Sequence, residues 1–150
     1  MATKASIVKK LQKKCIDLAK EICKVRDNNE CQVHKHYPSI GLWCAGPLQA
    51  DHCVTRACKK YFHDPRNLTW VCGSANRAKH FKLKSTDECI RQIVIDREGE
   101  DFLKEMVKFN MSKTSFTDYG NPVWLDECKQ KMEEQLADLK VGKDIKKETK

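Results

Sequence analysis

The stretch LQADHCVTRACKKYFHDPRNLTWVCGSANRAKHFK, residues 48–82, decides the fold. Its segments LQADHCVT and NLTWVC are short, apolar and partly β-branched, which is typical of strands. The connection RACKKYFHDPR ends in Asp64-Pro65, a turn signal, and GSANRAKHFKLK opens with Gly-Ser before a run of helix formers. This order of strand, loop, strand and helix predicts a small α+β unit.

The polar side chains of this unit suit the hydrolysis of a phosphodiester with one divalent cation. Asp51 and His52 are adjacent, so on a strand their side chains diverge. The carboxylate suits a hard cation, and the imidazole suits a general base near neutral pH. Asn76, at the start of the helix, can supply a second oxygen ligand, and Asn67 can tie down the loop and orient His52. Each of these residues, taken alone, also fits an ordinary structural role. The prediction therefore depends on their order and spacing in the sequence together.

This arrangement resembles the HNH, or ββα-metal, nucleases. The motif ADH is followed by NLTWVC, with Asn67 fifteen residues after His52, and by CGSANRAK, with Asn76 nine residues further on. The resemblance implies a ββα-metal core in which Asp51 and Asn76 bind Mg²⁺ or Mn²⁺, His52 is the general base and Asn67 is structural. His80, one helical turn after Asn76, is an additional candidate for a metal or phosphate contact.

The flanking segments resemble the phage recombination proteins of the NinG type, also called Rap. The similarity lies in EICKVRDNNECQVH before the core and IDREGEDFLKEM after it, and it covers roughly residues 16–110. It implies an endonuclease that acts on branched recombination intermediates of DNA in the cytoplasm of a bacterial host. Paired incisions across a four-way junction would favour a homodimer.

That resemblance also implies a structural zinc held by two Cys-x-x-Cys pairs, and here the pattern departs. The first pair is Cys31-x-x-His34, which is competent for zinc. The second is broken, because Ala75 stands three residues after Cys72. Cys44 is the first choice for the remaining ligand and His36 the second. The alternative is that the site has decayed and that packing replaces it.

Charge and composition favour a polyanionic partner. The 150 residues carry 29 Lys and Arg against 21 Asp and Glu, a net charge of +8, and nucleic acid is the first candidate partner. Side chains expected to contact DNA phosphates lie in the inter-strand loop and on the helix: Arg56, Lys59, Lys60, Arg77 and Lys79. The sequence shows no membrane span and no signal peptide, which predicts a cytoplasmic protein without a membrane partner. Nine cysteines, an odd number, argue against a disulfide framework.

The chain divides into four predicted segments. Residues 1–30 are an amphipathic basic helix, expected to pack on the core rather than to form a coiled coil. Residues 31–84 are the HNH-like core, with loop from 31 to 47, and residues 85–140 are a helical extension broken near Glu98-Gly99. Residues 141–150 are a charged tail expected to be disordered.

Two other functions compete with the nuclease. A non-catalytic, zinc-stabilised DNA-binding protein on the same scaffold would explain the charge and the cysteines but would leave Asp51, His52 and Asn76 incidental. A sequence-specific homing or restriction nuclease would require a long specificity region, and the sequence has none.

Overall fold

The computed structural model describes residues 1–80 and 84–149 and consists mainly of helices around one small antiparallel sheet. Helices α1 (Lys4–Arg26) and α2 (Gln32–His36) precede strand β1 (Gln49–His52) and strand β2 (Leu68–Val71). Helices α3 (Gly73–His80), α4 (Lys84–Glu98), α5 (Glu100–Met111) and α6 (Pro122–Glu148) follow. Short 3₁₀ turns cover Lys59–Tyr61, Pro65–Asn67 and Thr117–Gly120. The predicted mixture of helix and sheet is confirmed, as is the order strand, loop, strand, helix.

The sheet lies between two helical layers. Strand β2 is buried along its whole length, and successive side chains of a strand point to opposite faces. Leu68 and Trp70 pack against α1 and α6, whereas Val71 packs with side chains of α2, α4 and α5. The pairing register sets Asp51 opposite Thr69 and His52 opposite Leu68.

Helix α1 packs along the core, as its amphipathic pattern predicts. Thr3 caps its first turn by accepting a hydrogen bond from the Ser6 N–H at 3.2 Å, and its buried face includes Leu18 and Ile22. That face meets Leu125 and Met132 of α6. Burial of this stripe makes α1 part of the domain.

The outer edge of β2 is closed by side chains instead of a third strand. The buried carboxylate of Asp27 accepts the Trp70 N–H at 3.0 Å. The Leu68 carbonyl accepts from Arg26 at 2.8 Å and from Arg97 at 3.1 Å. Arg26 also donates to Asp27 at 2.7 Å. Although burial opposes ionisation, the Arg26 guanidinium and the Trp70 N–H lower the pKa of Asp27.

Three segments differ from, or sharpen, the sequence-based predictions. Residues 32–36 form α2 within the predicted loop, and five residues are too few to show helical periodicity. The predicted break is present at Gly99, whose φ of 94° suits glycine. Residues 141–148, expected to be disordered, continue α6. Lys143 helps to hold this part of the helix by donating to Val25 O and to Asn28 Oδ1.

Within residues 1–80 and 84–149, no helix combines the length and the apolar character that crossing a membrane requires. All nine cysteines carry free thiols.

Candidate functional site

Four potential metal ligands meet where α2, the loop before β1 and the end of β2 come together. They are Cys31, His34, Cys44 and Cys72, whose ligand atoms all lie within 4.8 Å of one another. The His34 Nδ1 atom is 3.2 Å from Cys31 Sγ and 3.6 Å from Cys72 Sγ. A tetrahedral zinc site places a nitrogen and a sulfur ligand about 3.6 Å apart. The cluster can therefore hold a metal ion, and it contains the set predicted from the sequence, with Cys44 in the uncertain position.

The imidazole of His34 is held in the orientation that a metal ligand needs. Its Nε2–H donates to the Leu42 carbonyl at 2.8 Å, which leaves the Nδ1 lone pair facing the three sulfur atoms. A hydrogen bond from the ring nitrogen that does not bind the metal fixes both the tautomer and the ring orientation of a ligating histidine. His36, the other histidine considered for this site, instead lies 3.3 Å from Gln32 Oε1 and is not in the cluster.

The electrostatics of the three thiols also favour a cation. Burial raises the pKa of Cys72, but the Ser74 hydroxyl, the Ala75 N–H and the Cys31 thiol stabilise its thiolate and bring the pKa down to about 6. Although Cys44 as a residue is exposed, its sulfur lies among the other ligand atoms. The resulting desolvation and the neighbouring Cys72 and Cys31 thiols raise the pKa of Cys44 to about 11. One thiolate therefore forms readily, and a metal cation would stabilise the others.

A second site lies on β1 and α3, about Asp51 and His52. Both residues are buried, with 7% and 6% of their surface exposed. The His52 Nε2–H donates to the Phe62 carbonyl at 2.7 Å, and the two rings stack with centroids 5.2 Å apart. Among the described residues, the buried Nδ1 atom has no hydrogen-bond partner. The bond to Phe62 fixes the neutral tautomer with its lone pair on Nδ1, the form required of a general base.

The pKa of His52 agrees with that role. Burial lowers it below the ordinary histidine value, and the positive charges of Arg56 and Lys79 lower it further, against the hydrogen bond to Phe62 and the charge of Asp51. The imidazole is therefore neutral near pH 7.

Asn67 holds the loop between the strands. It is fully buried, and its side-chain oxygen accepts the Val54 N–H at 2.8 Å. Its amide donates to the carbonyls of Val54 and Tyr61, each at 3.1 Å. Because Tyr61 precedes Phe62, Asn67 fixes the segment whose carbonyl orients His52. The loop-tying contact expected of Asn67 is therefore present in the structure.

Lys79 makes a contact that the spacing of residues in the sequence did not indicate. Its Nζ atom donates to Asp51 Oδ2 at 2.8 Å and also to the His52 carbonyl. Little of either charged side chain is exposed, 16% for Lys79 and 8% for Asp51. Lys79 was expected to contact phosphate, but here it neutralises the carboxylate assigned to the metal.

A cavity of about 600 Å³ opens beside Asp51 and His52. Its cationic lining comes from Arg56, Lys79 and Arg91, and α5 contributes Asn110 and Met111. Arg91 and the α5 residues were missed by sequence reasoning, because no motif links them to the strands. Asn76, one helical turn before Lys79, is half-buried and does not line this cavity. The side chain of His80 lies outside the described residues.

The other predicted phosphate contacts differ in their surroundings. Arg56, Lys59 and Arg77 are exposed. Lys59 stacks its ammonium 4.6 Å from the Phe62 ring. Lys60 is half-buried, 3.9 Å from a carboxylate oxygen of Glu105. Arg56 therefore presents charge to the cavity, Lys59 and Arg77 present charge elsewhere on the surface, and Lys60 is partly neutralised.

Comparison of the chain with protein-family models, with curated proteins and with solved structures gave no match.

Proposed function

We propose that this protein is a divalent-metal-dependent DNA endonuclease of the HNH type. The observation that carries the proposal is the state of His52: a buried, neutral imidazole whose Nε2–H is fixed by Phe62 and whose Nδ1 has no partner among the described residues. An unsatisfied polar atom in a protein interior is uncommon and calls for an explanation. A water molecule to be deprotonated is the partner that a general base would take.

Each residue of the proposed active site has its own role in the hydrolysis. His52 accepts the proton of the attacking water at Nδ1. Asn67 keeps the Phe62 carbonyl in place, so that the imidazole cannot turn away. Arg56 lines the cavity and attracts the phosphate, and Arg91, which is paired with Asp87 at 2.9 Å, lines it as well. Once released from Lys79, Asp51 would hold Mg²⁺ or Mn²⁺, and the ion would polarise the phosphate and stabilise the leaving oxygen. Asn76, the second ligand that the resemblance implies, lies outside the lining of the cavity and would have to approach Asp51.

The chemistry of the four-residue cluster supports zinc as its metal. Three thiol sulfurs and one imidazole nitrogen form a Cys₃His donor set, a common structural zinc site. Zinc there would join α2, the loop before β1 and the start of α3. Its role would be structural, since all four coordination positions are taken by protein side chains.

Branched DNA in the cytoplasm remains the proposed substrate. The exposed Arg56, Lys59 and Arg77 would contact phosphates without reading sequence. The resemblance to NinG-type proteins supports recombination intermediates, for which a homodimer could make paired cuts. Free thiols at all nine cysteines fit a reducing compartment.

The alternative function is zinc-stabilised DNA binding without catalysis, and one observation favours it. Lys79 already pairs with Asp51 at 2.8 Å in a nearly buried contact. If this ion pair is permanent, the carboxylate needs no metal, and the scaffold serves only to present positive charge.

Incubation with a labelled four-way junction and a matching linear duplex, in Mg²⁺, Mn²⁺ or EDTA, separates the two functions. Wild type should cut in a metal-dependent manner, and Asp51→Asn should not. His52→Ala and His52→Gln should each lower the rate by about 100- to 10,000-fold, and His52→Gln keeps an amide donor for Phe62. The control His36→Ala changes an exposed histidine and should cut like wild type. Tight DNA binding with no cutting by wild type in either metal would exclude the nuclease and leave the binding protein.

A further inference from the structure

Trp43 is exposed to an extent unusual for tryptophan. Its relative exposure is 90%. Among the Phe, Tyr and Trp side chains that the structure describes, only that of Trp43 is exposed. Trp70 is buried and Trp124 is half-buried. Leaving a large aromatic ring in water forgoes the free energy of its burial, and tryptophan is among the side chains enriched at interfaces with partners.

The backbone that carries Trp43 is fixed on both sides. The Leu42 carbonyl accepts from His34 Nε2 at 2.8 Å, and the Ala45 N–H donates to Ser74 Oγ at 3.3 Å. The Ser74 N–H donates to the Ala45 carbonyl at 2.9 Å. The ring is thus presented by an anchored loop.

Two glycines let this loop approach the start of α3. A Cβ atom at Gly46 would lie 3.2 Å from the Cα of Gly73. Gly46 also has φ of 82°, which other residues rarely adopt. The close approach and the metal cluster next to Trp43 leave the loop little freedom. A preorganised aromatic ring loses little entropy when it binds.

One exposed cation lies close to the loop that carries Trp43. The described segments 31–50 and 65–80 contain four Lys or Arg, of which Lys35, Arg66 and Lys79 pair with carboxylates, whereas Arg77 makes no ion pair with another described residue. Arg77 is exposed and lies three residues after Ser74, on the face of α3 that meets the loop.

We propose that Trp43 stacks on an unpaired base of single-stranded or branched DNA bound beside α3. Aromatic stacking platforms next to basic side chains are the usual means of holding single strands, because every base has a π-face. In an intact duplex the bases already stack on each other, so the ring discriminates opened DNA from paired DNA. This inference rests on the DNA-binding part of the proposed function, but not on catalysis.

Equilibrium binding of the zinc-loaded full chain, without Mg²⁺ or Mn²⁺ so that no strand is cut, tests the inference. The probes are fluorescein-labelled oligothymidylate, a four-way junction and a linear duplex. Trp43→Ala should weaken binding to the single strand about tenfold, whereas Trp43→Phe, which keeps a stacking ring, should stay within about threefold of wild type. Affinity for the linear duplex should not change. Val123→Ala, at an apolar α6 side chain that is 66% exposed, is the matched control and should behave as wild type.

Tryptophan fluorescence gives an independent readout. Oligothymidylate should quench wild-type emission through Trp43, and the remaining emission of Trp43→Phe should not respond. Equal binding of all three probes by wild type and Trp43→Ala would overturn the inference and leave the nuclease intact. An equal loss on all probes together with lost zinc would also overturn it, since Trp43 would then be structural. Trp43-dependent self-association in sedimentation, with unchanged DNA affinity, would assign the ring to a second copy instead. Failure of wild type to bind any DNA would overturn the proposed function itself.

Discussion

The substitution Cys44→Ser tests whether the four-residue cluster binds a metal or only packs. Cys44 is exposed, unlike the buried Cys31 and Cys72 of the same cluster. Exchange of a sulfur for an oxygen at an exposed residue changes stability by no more than about 0.5 kcal/mol when no special contact is involved. A larger effect therefore measures the lost metal ligand.

The size of the effect follows from where the ligands lie in the chain. A metal that bridges Cys31 and Cys72 closes a segment of 42 residues. The loop-closure relation for a cross-link of that length gives about 4 kcal/mol of stabilisation at 25 °C. Natural domains are stable by roughly 5–15 kcal/mol, so loss of the cross-link would remove a large fraction of the total.

Urea unfolding with zinc or with EDTA measures this contribution, and elemental analysis gives the metal content. Wild type should bind one zinc per chain and lose about 4 kcal/mol of unfolding free energy in EDTA. Cys44→Ser should bind zinc weakly and show less than half of this response. Cys89→Ser, at a half-buried thiol outside the cluster, is the control and should respond as wild type. Equal zinc content and equal stability in Cys44→Ser and wild type would refute the assignment.

Three further substitutions test other parts of the structure. Asn67→Ala removes an amide that satisfies three backbone groups, so urea unfolding should show a loss of about 2–4 kcal/mol; a loss below about 1 kcal/mol would contradict the loop-anchoring role. Burial lowers the pKa of His63, whose Nε2 has no partner among the described residues. As the pH falls below about 6.5, His63 is therefore protonated in the unfolded chain before it is protonated in the folded protein. The free energy of unfolding declines over this range, until the pH has passed the lower pKa of the folded protein. In urea unfolding at saturating zinc, His63→Phe should reduce that decline, whereas the control His36→Gln should not; equal pH slopes for His63→Phe and wild type would contradict the assignment. Asp27→Asn leaves the half-buried Arg26 without its carboxylate and should cost about 3–5 kcal/mol in urea unfolding. Wild-type stability of Asp27→Asn would show that the ion pair is dispensable.

The sequence predicted most of the local structure in the core. Strands β1 and β2 fall within the segments chosen from β-branched and apolar runs, and the break at Gly99 is where Glu98-Gly99 was marked. The metal cluster was found through the resemblance, which directed attention to Cys31, His34 and Cys72 and left Cys44 as the best remaining donor. These successes depend on short-range patterns or on motifs with known spacing.

Long-range geometry was the part that sequence could not supply. The ion pair between Lys79 and Asp51 joins residues 28 positions apart, and no periodicity indicates it. Met111 of α5 lines the candidate cavity together with residues of β1 that are about 60 positions earlier in the chain. Trp43 lies in a segment interpreted only as loop, and its exposure is known only once the loop has been placed against α3. The short α2 was missed because its five residues contain barely more than one helical turn.

The closed outer edge of β2 bears on how this domain can be divided. A two-stranded sheet alone is at best marginally stable in water, and here its second edge is satisfied by Arg26, Asp27 and Arg97, all outside residues 31–84. A fragment limited to that range would expose the Trp70 N–H and the Leu68 carbonyl as a template for pairing with other chains. The strand–loop–strand–helix unit is therefore not a portable module. The smallest piece worth grafting onto another protein begins before Arg26 and ends after Arg97, and a shorter one should aggregate instead of folding.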